Sequence, residues 1–215
     1  MSDPWLFTGA PETRGGTAVT LMEGTTFCIS DPHGDVGTQA VDGLFVRDTR
    51  VLSAWRLRLV DRRLGQLTVA VESAHEATFH LLSTSSLDHG TSVVVSRRRQ
   101  VGEGLREDLT IRNGGPQPAH LDLVLEADTD FADLVEVKEG RVRPTVTTSS
   151  AVAGTLALHA RRDGEDFQVA IKTDGHADPH ARAIAWTVDV PAAGHGGRAS
   201  WCSPSSGESL SRRPS

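Results

Sequence analysis

Leu121-Asp122-Leu123-Val124-Leu125-Glu126 places a leucine at every second position and polar residues between them. At the two-residue period of an extended chain, the leucines line one face and Asp122 and Glu126 the other. Working outward, the same alternation recurs in Arg56-Leu57-Arg58-Leu59-Val60 and Asp108-Leu109-Thr110-Ile111-Arg112. It returns in Leu156-Ala157-Leu158-His159, in Phe167-Gln168-Val169-Ala170-Ile171 and over Ala183 to Val190. Each run reads as a strand with one buried face. Between the runs lie turn signals: Asp61 to Gly65, Asn113-Gly114-Gly115-Pro116, Glu139-Gly140 and Asp163-Gly164. The last two fit tight hairpin turns, where glycine supplies a positive φ. The pattern predicts an all-β fold of antiparallel strands packed as a sandwich. Its expected core includes Leu57, Leu59, Leu109, Ile111, Leu123, Leu125, Val169, Ile171, Ile184 and Trp186. Glu72 to Leu82 fits either a helical turn or an interrupted strand.

Composition narrows the functional classes. The 215 residues include 22 basic and 28 acidic side chains, a net charge of −6. That balance argues against a general nucleic-acid binder, which needs a basic footprint. Hydrophobic residues at 38% suffice for a core, yet no apolar run is long enough to span a membrane as a helix. The N-terminus lacks the basic and apolar regions of an export signal. Cys28 and Cys202 are too few and too far apart for a disulfide framework, and Cys28 sits in an apolar run as an expected buried thiol. These features point to the cytoplasm. Tyrosine is absent and aromatics reach only 5%, a poor basis for a stacking platform for sugars or single-stranded nucleic acid.

Three regions follow from the patterning. Residues 1–16, rich in Pro and Gly, are expected to form a flexible arm, and residues 17–193 the β domain. Residues 194–215 lose the alternation and turn to Ser, Gly, Arg and Pro, which predicts a disordered tail. Its composition has the character of a GC-rich gene read out of frame, as in a truncated or frameshifted chain.

Two clusters are candidates for chemistry. Asp31-Pro32-His33-Gly34-Asp35 sets an imidazole between carboxylates, as a metal site would, but a polar turn is the stronger reading. Glu126, Asp128, Asp130, Asp133 and Glu136 form the only dense carboxylate group. Paired carboxylates can hydrolyse glycosides, whereas neighbours at a strand end more often cap turn amides. Arg97-Arg98-Arg99 reads as a solvated strand end. Trp55 and Trp186 fall within strand patterns and are expected in the core. The sequence has no nucleophile elbow, phosphate-binding loop or dinucleotide fingerprint. No metal site and no cofactor are expected.

Val41-Asp42-Gly43-Leu44-Phe45-Val46-Arg47-Asp48-Thr49-Arg50-Val51-Leu52-Ser53 resembles a signature near the start of bacterial glycogen-debranching-enzyme-like proteins, the amylo-α-1,6-glucosidase group. Leu57-Arg58-Leu59 agrees next, then Arg97 to Asn113, then Leu125 to Val137, so the resemblance spans roughly Gly24 to Pro191. It implies a supersandwich-like β-sandwich preceding a helical (α/α) barrel that carries the glycosidase carboxylates. The expected partner is that barrel, as a domain or a separate chain, with an α-glucan reached only through it. The family's catalytic residues then have no matching positions here. Asp48, Arg50, Asp128 and Asp130 are candidates for contact with substrate or with the barrel. The leading expectation is a non-catalytic N-terminal domain. The alternatives are a module docking on a separately encoded catalytic chain and a small hydrolase using Asp128 to Asp133.

Overall fold

A computed structural model describes residues 18–84, 93–193 and 195–202. The strands, in chain order, begin with β1 (Val19–Glu23), β2 (Thr26–Ser30), β3 (Gly43–Val46) and β4 (Thr49–Leu52), which meander into one antiparallel sheet. After β5 (Ala54–Leu59) come β6 (Arg63–Ser73), β7 (Glu76–Thr84), β8 (Val93–Val101) and β9 (Leu105–Asn113). β10 (Ala119–Asp128) then returns to pair with β5. A short helix, α1 (Leu134–Lys138), leads to the three-stranded sheet of β11 (Thr147–Val152), β12 (Thr155–Arg162) and β13 (Glu165–Lys172). β14 (His176–Asp178) and β15 (Ala183–Val190) complete a sheet of order β14-β15-β10-β5. β16 (His195–Cys202) joins the β6–β9 meander at the β9 edge. Every pairing is antiparallel, and the arrangement is the sandwich-like all-β fold the alternation predicts.

Strand β10 explains why. Its residues alternate strictly between buried and less buried positions. Leu123 pairs with Leu59 on one side and Trp186 on the other, and Leu125 with Leu57 and Ile184. Three strands thus present their apolar faces together, and a one-residue slip would turn all of them to solvent. All ten expected core residues are buried, in one cluster that draws on all four sheets. Trp55 is fully buried within it. A satellite core of Phe45, Ala132 and Val137 lies under α1 and is extended by Phe27, whose ring stacks on Phe45 at 4.6 Å.

The structure decides the open segment, bears out one expected turn and corrects other expectations. Glu72 to Leu82 forms the end of β6 and most of β7, joined by a turn at Ala74 and His75. Asp163-Gly164 is a tight hairpin turn with both φ values positive (52° and 86°). Glu139-Gly140 is not a hairpin: Glu139 caps the C-terminus of α1, and Gly140 follows at φ 66°. Within the expected disordered tail, His195 to Cys202 pair with β9, because the free edge of that sheet supplies backbone partners whatever the side-chain pattern. The expected arm at 1–16 and the tail beyond 202 lie outside the described residues.

Candidate functional site

The segment 41–53 and the acidic segment 126–136 are brought together by backbone and side chain. Arg50 donates from Nε and Nη2 to the two oxygens of Asp130, at 3.1 and 2.5 Å. Its Nη1 donates to the carbonyls of Ala40 and Asp42, at 2.8 and 3.1 Å. This is the bidentate fork geometry of arginine and carboxylate, here nearly removed from water on the arginine side. Gly43 lies beneath it: a Cβ there would approach Arg50 Cδ to 2.6 Å, so only glycine leaves the guanidinium stem its place. Asp42, itself buried, accepts from the amides of Thr38 and Gln39 and from the Thr38 hydroxyl, which fixes the preceding loop. The backbone adds a clasp, with Arg50 N donating to Ala132 O and Leu134 N to Asp48 O. Asp48 itself is exposed, and among the described residues its carboxylate has no hydrogen-bond partner. Arg50 is therefore fixed by side-chain bonds, while Asp48 contributes its backbone.

The acidic segment is committed to similar duties. Asp128 pairs with Arg182 at 2.6 Å and Glu126 with Arg58 at 2.8 Å. Asp133 caps α1 by accepting from Val135 N, and Glu136 closes the capping box onto Asp133 N. Asp133 and Glu136 occupy the positions of that box, so the helix starts where the side chains satisfy its first amides. Glu136 also pairs with Arg143 and Arg162. Partial burial pushes its pKa up, but these cations and the Asp133 amide outweigh that and hold it below the usual carboxylate range. That is the opposite of what a general acid for glycoside cleavage requires. The carboxylates expected as a possible catalytic group thus hold turns, a helix end and neighbouring strands.

A second cluster lies deeper. Arg97 and Arg99, both fully buried, flank the carboxylate of Glu107, also fully buried. Glu107 Oε1 accepts from Arg97 Nε at 3.0 Å and Trp55 Nε1 at 3.2 Å, and Oε2 accepts from Arg99 Nε at 2.8 Å. Arg97 reaches on to Asp35 Oδ1 at 2.6 Å and His33 O, and Arg99 to Gly34 O. Arg99 also lies over the Phe79 ring, 5.1 Å from its centroid. Burial raises the pKa of Glu107, and the two guanidiniums outweigh it, so the net shift is downward and the group is ionised. Asp31 to Asp35 is the polar turn: Asp31 Oδ1 accepts from His33 N and Asp35 N, both at 2.8 Å. The turn's function is to offer carbonyls and Asp35 to the buried cations. The expectation that Arg97-Arg98-Arg99 is a solvated strand end is overturned at its first and third residues. Strand alternation puts them in phase with buried Val93, Val95 and Val101, and leaves Arg98 outside with Glu76. That phase was the signal available in the sequence.

The family model for the N-terminal domain of some glycogen debranching enzymes matches residues 21–196. The chain belongs to this family. A search of curated proteins found no match. The debranching-enzyme match covers both the Arg50 clasp and the Glu107 network, so both lie within the matched domain. An N-terminal domain of a larger enzyme implies a catalytic partner domain. Among the described residues of this debranching-enzyme domain, no group of three or more His, Cys, Asp and Glu side chains gathers as metal ligands. No helix among them is long and apolar enough to cross a membrane.

Proposed function

We propose that this debranching-enzyme domain is non-catalytic and covers a helical (α/α) barrel that carries amylo-α-1,6-glucosidase-type chemistry on another domain or chain. One observation carries the reading: the carboxylates of the acidic segment are already engaged by arginines. Asp130 is held by Arg50, Asp128 by Arg182, and Glu136 by Arg143 and Arg162. Glycoside hydrolysis needs one protonated and one ionised carboxyl on opposite sides of the scissile bond. Glu136, clamped between two guanidiniums that hold its pKa down, is a poor proton donor at neutral pH. The α-glucan is then bound through the barrel, and neither a nucleic acid nor a membrane is a partner. The proposed setting is the cytoplasm, supported by a free, buried thiol at Cys28.

The test is turnover of a branched α-glucan by the purified chain, with Asp128→Asn and Asp130→Asn alongside. The expected result is no release of glucose above background in any of the three. Turnover that both substitutions abolish would overturn the reading and make the acidic segment a hydrolase site. Whether the barrel is encoded in the same frame, in another frame or as a separate gene is read from the downstream DNA. A barrel in another frame supports a truncated chain, and an intact separate gene supports a docking module.

A further inference from the structure

Asn113 is the single asparagine of the chain, and a glycine follows it. It ends β9, is 3% exposed, and its amide is bonded at both ends. Nδ2 donates to Gln117 O at 2.7 Å and to Pro191 O at 3.2 Å, with Val190 O beside them at 3.5 Å. Oδ1 accepts from Gly115 N at 2.9 Å. Gly115 O in turn accepts from Ala193 N at 2.9 Å. β15 ends at Val190, and β16 starts at His195, opposite Arg112 on β9. The Asn113 amide and its turn therefore hold the chain where it crosses from one sheet to the other. An amide suits this place, because its donors meet carbonyls and its acceptor meets an N–H. A carboxylate there would set an anion against carbonyl oxygens with no hydrogen to share.

We propose that Asn113 is a deamidation site protected by the fold, and that its conversion to a carboxylate releases the β15–β16 crossover. In the reaction Gly114 N attacks Asn113 Cγ, a new C–N bond forms, and Nδ2 leaves as ammonia. The cyclic imide then takes up water at either carbonyl and opens to aspartate or isoaspartate. Glycine favours the attack, because no Cβ shields its nitrogen or restricts its approach. In the folded chain, bonds to both Nδ2 and Oδ1 fix the amide plane and keep Cγ from turning toward Gly114 N. Conversion therefore follows local opening of the loop at 113–117. Once formed, the carboxylate repels Gln117 O and Pro191 O, so the crossover does not close again. The proposal is independent of the non-catalytic reading, since no group of the acidic segment takes part.

The experiment ages the whole purified chain at mildly alkaline pH, folded and in urea, and maps its peptides by mass spectrometry. The peptide holding Asn113 should convert at least about tenfold more slowly in the folded chain than in urea. Gly114→Ala should slow the conversion in urea, where folding plays no part. Hydrogen exchange then reads the crossover. In Asn113→Asp the backbone amides of 195–202 should exchange faster than in the parent chain, while those of β10 keep their protection. Asn113→Ser removes the amide bonds without adding a charge, and should give a smaller increase in the same segment. An Asn113→Asp chain that fails to fold, beside an Asn113→Ser chain that folds, also supports the cost of the carboxylate. Equal conversion in folded and unfolded chain, conversion in urea indifferent to Gly114→Ala, or unchanged exchange at 195–202 in both Asn113 variants overturns the proposal.

Discussion

Arg99 and Glu107 are direct cross-strand partners in the β8–β9 hairpin, wholly shielded from water and joined by bonds of 2.8 and 2.5 Å. Arg97, two residues earlier on the same face, closes on the other oxygen of the same carboxylate. Charges so buried are tolerable only because each is paired and hydrogen-bonded. Their main contribution is to tie three separate parts of the chain into one arrangement: the turn at 31–35, Trp55 and the β8–β9 hairpin.

Removing the shared carboxylate should therefore be severe. Glu107→Gln leaves buried Arg99 without its carboxylate and Arg97 with Asp35 alone, and the expected loss is about 3–5 kcal/mol in urea unfolding. Glu76→Gln, which breaks the exposed pair with Arg98 on the opposite face of the same hairpin, should cost less than about 1 kcal/mol. Equal effects would show that the buried pairing is not specially coupled to folding.

Acid should act through the same group. The pKa of Glu107 is lowered in the folded state, so its stabilisation is present above the unfolded value near 4.5 and is lost as pH falls through the folded value. Glu136 shifts in the same direction and adds to the trend. Stability measured by urea midpoint should hold from neutral pH to about 4.5 and fall below it. Glu107→Gln should flatten that fall.

The Arg50 clasp should be specific for arginine. Arg50 bonds Asp130 with two nitrogens and two carbonyls with the third, a set no ammonium can reproduce. Arg50→Ala should cost about 1.5–3 kcal/mol, and Arg50→Lys should recover less than half of it. A double-mutant cycle with Asp130→Ala should give a coupling of about 0.5–3 kcal/mol. Additive effects would mean that the fork contributes nothing as a pair.

Leu123 sits at the centre of the β5–β10–β15 sheet, 1% exposed. Leu123→Ala should lower stability by about 2–5 kcal/mol in denaturant unfolding, the range for a leucine removed from a packed core. Its neighbour Val124 lies on the more open face. Val124→Ala should cost clearly less, and the reverse order would place the strand one residue out of register.

Cys28 should resist chemistry in the folded protein. Burial pushes its thiol pKa up, against a smaller lowering by Arg99, so little thiolate forms at pH 8. Peptide mapping after iodoacetamide treatment should find Cys28 unmodified in native protein and modified in urea. Ready alkylation without denaturant would contradict its burial.

The sequence by itself determined the strand faces. Alternation is a local property, and burial followed it in 121–127 and 167–171, whereas in β6 Leu67 and Val71 stay exposed. It also carried the family through the segment at 41–53. Tertiary structure alone decided what the polar residues do. Arg50 and Asp130 are 80 positions apart and Arg97 and Asp35 are 62, so no local pattern can announce either pair. β16 forms because β9 offers an unpaired edge, and its own residues do not alternate. α1 is only five residues long, too short for a helical period to register, and it is started by the capping box of Asp133 and Glu136. An arginine is read as exposed because its charge resists burial. Arg97 and Arg99 are buried because the next strand and a distant turn place Glu107 and Asp35 where those charges are needed.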